Sequence, residues 1–112
     1  MQSFPSGAVA VIFRSKRNAA EPEAYAAAAA QMVAAAERFP GYLGIWSVRD
    51  ADGLGITVSY WENDAAAQAW KNDATHAATR EQGRARWYDW YELVVAEVTR
   101  GYEWRRLSSP AE

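Results

Sequence analysis

A chain of 112 residues has the length of one ordinary domain, and with half its residues apolar and 23% charged its composition is globular rather than disordered. The formal net charge of −2 comes with scattered Lys and Arg, so the basic stripe that nucleic acid requires is missing, and the lack of cysteine excludes disulfides, thiolate nucleophiles, iron–sulfur clusters and cysteine-bound zinc. No run of about 18 apolar residues suggests a membrane span, and Met1 to Gly7 lacks the basic end and apolar stretch of an export signal, so the expectation is a cytoplasmic protein.

Ala8 to Arg14 alternates Val9, Val11 and Phe13 with Ala10 and Ile12, which predicts a strand apolar on both faces and therefore central in its sheet. Ser15 to Ala20 reads as a polar connection. A helix is expected from Glu21, with Pro22 in its first turn and acidic residues at its positive end. Tyr25, Ala29, Met32, Ala36 and Phe39 form its apolar stripe, and Pro40-Gly41 stops it. Tyr42 to Asp50 and Leu54 to Trp61 predict a hairpin turning at Asp52-Gly53. In its second strand Leu54, Ile56, Val58 and Tyr60 share one face, and Gly55, Thr57, Ser59 and Trp61 the other.

Asn63 or Asp64 is placed to cap a short helix carrying Trp70, Asn72-Asp73 breaks it, and a further helical stretch runs through His76 to a C-terminal cap at Gly83. Arg84 to Trp90 reads as irregular. Tyr91 to Trp104 is expected as one long strand or two joined by a bend, with a frayed tail beyond it.

Strand, helix, two strands, helix, strand is the order of an α+β, ferredoxin-like split βαβ fold: an antiparallel sheet with its helices on one face. The other sheet face then carries Val, Ile and aromatic side chains that nothing in the chain covers, and sheet-to-sheet pairing into a homodimer resolves that exposure. The expected organisation is a single domain over 1–112, with a core of about 8–104 and 105–112 as tail.

Six Trp and six Tyr are many for this length; they suit a core, a dimer interface or the walls of a pocket for a flat organic molecule. His76, the single histidine, is the one side chain whose ordinary pKa lies near neutrality. It is a candidate general base; the plainer alternative is a histidine bonded to a neighbouring backbone group. Trp61, Trp70, Trp87 and Tyr88 are candidate substrate walls, with core packing as the alternative for Trp61 and Trp70. Arg84 and Arg86 are candidates to stabilise an enolate or phenolate, against surface pairing with Asp89 or Glu92. There is no Gly-rich dinucleotide fingerprint or phosphate loop, and a lone histidine does not make a zinc site, so no metal is expected.

Tyr60-Trp61-Glu62-Asn63-Asp64, followed by Ala69-Trp70-Lys71, His76, Gly83-Arg84, Trp87-Tyr88 and the closing strand, resembles the antibiotic biosynthesis monooxygenase superfamily. The resemblance implies a dimeric α+β barrel with a pocket between sheet and helices. It also implies activity among cofactor-independent oxygenases of polycyclic phenols, haem-degrading enzymes or small-molecule isomerases. Haem-degrading relatives carry a proximal histidine where this chain has Arg80, and an asparagine in the first strand where Ala8 to Phe13 has none, so haem is disfavoured as a cofactor. The leading expectation is an oxygenase without metal or flavin, acting on a small flat substrate with an acidic C–H or phenolic group. In it His76 moves the proton, Arg84 stabilises the anion, and Trp61, Trp70, Trp87 and Tyr88 bind the substrate. The alternatives are haem binding or degradation and a non-catalytic small-molecule-binding or stress-associated domain.

Overall fold

Alternating Val9, Val11 and Phe13 open the central strand β1, Val9–Arg17, in a computed structural model that describes residues 4–107. β1 runs three residues further than its apolar pattern: Ser15 lies between Gly55 and Tyr91, and Arg17 pairs with Tyr88. These residues stay in the ladder because their polar side chains find partners. Ser15 is wholly buried, yet its hydroxyl accepts from Arg49 at 2.8 Å.

Helix α1, Pro22–Glu37, starts with proline at its first position and buries Ala36 on the expected stripe, with Tyr25, Ala29, Met32 and Phe39 half-buried beside it. β2, Tyr42–Arg49, and β3, Leu54–Trp61, form the hairpin. The Asp50 carboxylate accepts from the backbone N–H of Asp52 at 2.9 Å and of Leu54 at 3.0 Å, and Gly53 takes a φ of +93° in the turn. The Asn63 side chain caps α2, Asp64–Asn72, accepting from the Ala66 N–H at 2.8 Å. The break at Asn72-Asp73 separates it from α3, Ala74–Gln82.

Gly83 does not act as a left-handed cap. It opens a π-helical turn, Gly83–Trp87, and a Cβ there would lie 2.7 Å from the Tyr88 ring, so the missing side chain is a packing requirement. β4 follows as Tyr88–Glu97, starting earlier and ending well before the strand expected to reach Trp104.

The sheet order is β2-β3-β1-β4, antiparallel throughout, which is the ferredoxin-like α+β arrangement. The register fixes the faces. Val9, Val11, Phe13 and Ser15 share the helix side with Trp61, Ser59, Thr57 and Gly55 of β3 and with Glu97, Val95, Leu93 and Tyr91 of β4. Val9, Ala36, Trp61, Ala67 and Trp70 form the core there, joined by Val11, Met32, Phe39 and Tyr42. The more aliphatic face of β3 therefore points away from the helices. With Trp46, Val48 and Val94, which are 76%, 68% and 53% exposed, it makes an uncovered apolar sheet surface.

Beyond β4 the chain leaves the ladder after the Val98 N–H donates to the Ala8 carbonyl at 2.9 Å. It continues to Leu107 with Tyr102, Trp104 and Leu107 exposed. This arm contributes to a radius of gyration of 16.0 Å, against about 13 Å for a compact chain of this length.

Candidate functional site

Two clusters of side chains stand on the helix side, at opposite ends of the sheet. The first grows from the α2–α3 break. Trp70, in the last turn of α2, is buried and stacks on Trp61 at 5.7 Å between ring centroids, with Phe39 edge-on to both. Because the helix stops at Asn72, the Trp70 carbonyl is free of an ordinary helical partner. It accepts from the Asp73 N–H at 3.1 Å and lies 3.0 Å from His76 Nδ1. The His76 ring lies nearly parallel on Trp70, with centroids 4.7 Å apart, so Trp61, Trp70 and His76 form one stack.

A carbonyl can only accept, so Nδ1 carries the ring proton and Nε2 keeps its lone pair. Burial pushes the His76 pKa down. The Trp70 carbonyl opposes this, the Arg80 guanidinium adds to it and Asp73 opposes it. The net direction is downward, and His76 is neutral at neutral pH. Arg80 itself donates to the Lys71 carbonyl at 3.2 Å, across the helix break.

Two strands away from Trp61, across β1, the helix side of β4 is open. α3 packs on the π-helical turn, α1 and α2, and Leu93 and Val95, although they face the helices, remain 48% and 46% exposed. The strip ends at Tyr91, whose hydroxyl lies 2.6 Å from Arg84 Nε; Arg84 also pairs with Glu81 at 3.0 Å. The bond to Tyr91, ahead of the attraction of the phenol and Glu81, raises the Arg84 pKa and keeps it cationic. Arg86 pairs with Glu21, and Glu92 with Arg14, so both expected arginines have carboxylate or phenol partners other than Asp89 and Glu92.

Trp87 and Tyr88 belong to the second cluster. Tyr88 pairs with Arg17 and Trp61 with Val9, eight residues apart on β1, or roughly 26 Å along the strand. One small substrate does not touch both ends. The six expected site residues therefore fall into three places: Trp61, Trp70 and His76 in the stack; Arg84 at the end of the strip; Trp87 and Tyr88 at the far end of the sheet. Trp61 and Trp87 are almost wholly buried and serve as core.

Sequence reasoning missed the rest of that second cluster. Arg49 of β2 crosses over Gly55 to reach β1. Its Nη2 donates to Ser15 Oγ at 2.8 Å and to the Tyr25 hydroxyl at 3.2 Å, and its Nη1 donates to the Gly53 carbonyl at 2.5 Å. The Arg17 guanidinium lies 4.1 Å from the Tyr25 ring centroid, and the Tyr25 and Tyr88 hydroxyls are 3.4 Å apart. Gly55 inside a strand was the available signal, since such a glycine marks a close approach by another group.

A family model described as antibiotic biosynthesis monooxygenase matches residues 8–82. The uncharacterised protein YqjZ of Bacillus subtilis is 45% identical over 91 residues, covering 81% of this chain and 79% of YqjZ. SnoaB from Streptomyces nogalater, a cofactor-independent oxygenase, superposes with a TM-score of 0.74 at 16% identity, over 86% of this chain and 97% of its own. PA3566 from Pseudomonas aeruginosa superposes with a TM-score of 0.70 at 17% identity, over 83% and 95%. The likeness to these two structures is one of fold. The sequence match over two thirds of the chain, with the split βαβ topology, settles the family: the chain belongs to the antibiotic biosynthesis monooxygenases.

Proposed function

We propose that this protein is a cofactor-independent monooxygenase of a small, flat, activated organic substrate, with His76 as the base. The observation that carries the reading is the 3.0 Å contact of His76 Nδ1 with the Trp70 carbonyl. It fixes the tautomer and aims the basic character at Nε2, while burial keeps the imidazole neutral at working pH. SnoaB, of the same fold, is described as a cofactor-independent oxygenase, which agrees with chemistry carried by substrate and side chains alone.

In this reading the substrate lies on the Leu93–Val95 strip. His76 and Arg84 are eight residues apart along α3 and the π-helical turn, an axial rise of about 12 Å, comparable to three fused rings. His76 Nε2 takes a proton from an acidic ring carbon, and the Arg84–Tyr91 pair stabilises the charge delocalised onto the substrate oxygen. The carbanion gives one electron to O2, and the radical pair combines into a peroxide that takes up a proton from His76. Loss of water leaves a carbonyl: a CH2 group and O2 become C=O and H2O, with the substrate oxidised and oxygen reduced. Trp70 supports His76 by stacking and keeps water from one side of the ring. A haem-degrading activity is disfavoured because the residue in the proximal position, Arg80, is a guanidinium engaged with the Lys71 carbonyl.

The working unit in this proposal is a homodimer joined through the apolar sheet face on which Trp46, Val48 and Val94 are exposed in one protomer.

The test is oxygen uptake with anthrone, a three-ring substrate with an acidic CH2, read together with the absorbance of the quinone product. Wild type should exceed the protein-free rate, and His76→Ala and His76→Gln should lose at least 100-fold of the difference, about 2.7 kcal/mol in the barrier. Retention of the full rate by both variants would remove His76 from the mechanism. No protein-dependent turnover of anthrone or of its hydroxylated analogues would defeat the oxygenase reading.

A further inference from the structure

We infer that Arg17, Arg49, Tyr25 and Tyr88 form a binding site for a small organic carboxylate, at the end of the sheet away from His76. Donors outnumber acceptors in this cluster. Arg49 spends its Nη hydrogens on Ser15, Gly53 and Tyr25, all neutral groups. Arg17 donates from Nη2 to the Ala20 carbonyl at 3.0 Å, while its Nε is buried with no acceptor. Among the described residues neither guanidinium pairs with a carboxylate.

The two phenols add to the surplus. Tyr25 and Tyr88 hold two hydroxyl hydrogens and share one contact of 3.4 Å, so whichever donates, the other's hydrogen has no acceptor in the cluster. Burial, then the Tyr25 hydroxyl, raises the Tyr88 pKa against the pull of Arg49 and Arg17, so this phenol stays a neutral donor. The nearby acids are committed elsewhere: Glu21 to Arg86, Glu92 to Arg14, and Asp50 Oδ1 to the hairpin backbone.

Two cations beside one phenol ring, Arg17 at 4.1 Å and Arg49 at 5.7 Å from its centroid, repel each other in a half-buried setting. A carboxylate answers each deficit at once: two oxygens, about four acceptor positions, and a charge that neutralises the pair. Phe13 and Tyr91, packed against Tyr88, give the surroundings an apolar character suited to an aromatic or aliphatic body attached to that carboxylate. The site does not depend on the oxygenase chemistry, and it is read by binding rather than turnover.

The experiment is calorimetric titration of the whole protein with sodium benzoate at constant ionic strength, with benzyl alcohol and sodium chloride as comparison solutes. Saturable benzoate binding is expected. Arg17→Met should weaken it at least tenfold. Tyr88→Phe, which removes one hydroxyl and keeps the ring, should weaken it several-fold, and serves as the test if Arg17→Met fails to fold by circular dichroism. Arg105→Met, the same charge change on the exposed arm, should leave it unchanged. The proposal is overturned if benzoate shows no saturable binding or if benzyl alcohol or chloride binds equally well. It is also overturned if the folded variants at Arg17 and Tyr88 both bind as wild type.

Discussion

Arg49 and Ser15 meet across an intervening strand: Nη2 of the β2 arginine donates to the buried β1 hydroxyl at 2.8 Å, passing over Gly55 of β3. A Cβ on Gly55 would stand 2.5 Å from the guanidinium carbon, so the contact exists only because β3 has no side chain at that point. The far end of an arginine can swing aside, so the damage from Gly55→Ala is the orphaned Ser15 and the lost contacts to Tyr25 and Gly53 rather than steric strain. Orphaning such groups costs about 2–3 kcal/mol. A lower urea midpoint at unchanged slope is the expected reading. In an Arg49→Met background the same glycine change should be neutral or slightly stabilising, since alanine in a strand interior is favoured over glycine by about 0.5–1 kcal/mol.

His76 makes stability depend on pH with a definite sign. Burial, ahead of the opposing Trp70 carbonyl, places its folded pKa below the ordinary 6.5. Above 6.5 neither folded nor unfolded chain binds the proton, and the contribution is complete. As pH falls below 6.5 the unfolded chain takes the proton first, so stability declines until the folded pKa is passed. Urea unfolding at a series of pH values should show this decline in wild type and a flatter profile in His76→Gln. Parallel profiles would mean that other groups carry the effect.

Much of this architecture is legible in the sequence, because element order and period follow from local residues. Val9, Val11 and Phe13 announce β1, and Asn63 announces the cap of α2. What is not legible depends on contacts distant in sequence. Ser15 to Arg17 look like a loop until Arg49, Tyr25 and Gly55 are brought alongside them from three other elements. Tyr88 and His76 look like neighbours until β4 carries Tyr88 back to Arg17 at the opposite end of β1. The stack of Trp61, Trp70 and His76 is in between: the spacing from Trp70 to His76 fits no single helical face, and the break at Asn72-Asp73 is what folds the imidazole back onto the indole.

Glu21 holds a left-handed backbone, φ +48°, at the entry to α1, where its side chain makes no cap bond. Its carboxylate instead grips Arg86 through both oxygens, which lowers its pKa and ties the entry of the helix to the π-helical turn. Glu21→Ala and Glu21→Gly both remove this exposed pair, and only glycine removes the backbone penalty. The glycine variant should therefore be the more stable of the two by about 1 kcal/mol, measured as the difference in unfolding free energy. Equal stabilities would show that the left-handed conformation relaxes once the carboxylate is gone.

Trp46 distinguishes a functional face from a merely exposed one. It is 76% exposed on the edge strand β2 of the apolar sheet surface, on the same strand as Val48, which is 68% exposed, so in its own protomer it has little to hold. Replacing it with glutamate changes the fold of one protomer very little, because exposed substitutions usually move stability by no more than about 0.5 kcal/mol. Its effect on a pair of facing sheets is large, since two copies of the charge would be desolvated across the interface. Wild type is expected to scatter light as a dimer, with a melting temperature that rises with protein concentration. Trp46→Glu should halve the mass, abolish that dependence and leave the far-ultraviolet circular dichroism unchanged. A wild-type monomer at micromolar concentration would defeat the homodimer. A Trp46→Glu protein that remains a dimer would move the interface off this face, leaving the exposed arm that carries Tyr102 and Trp104 as the surface to test next.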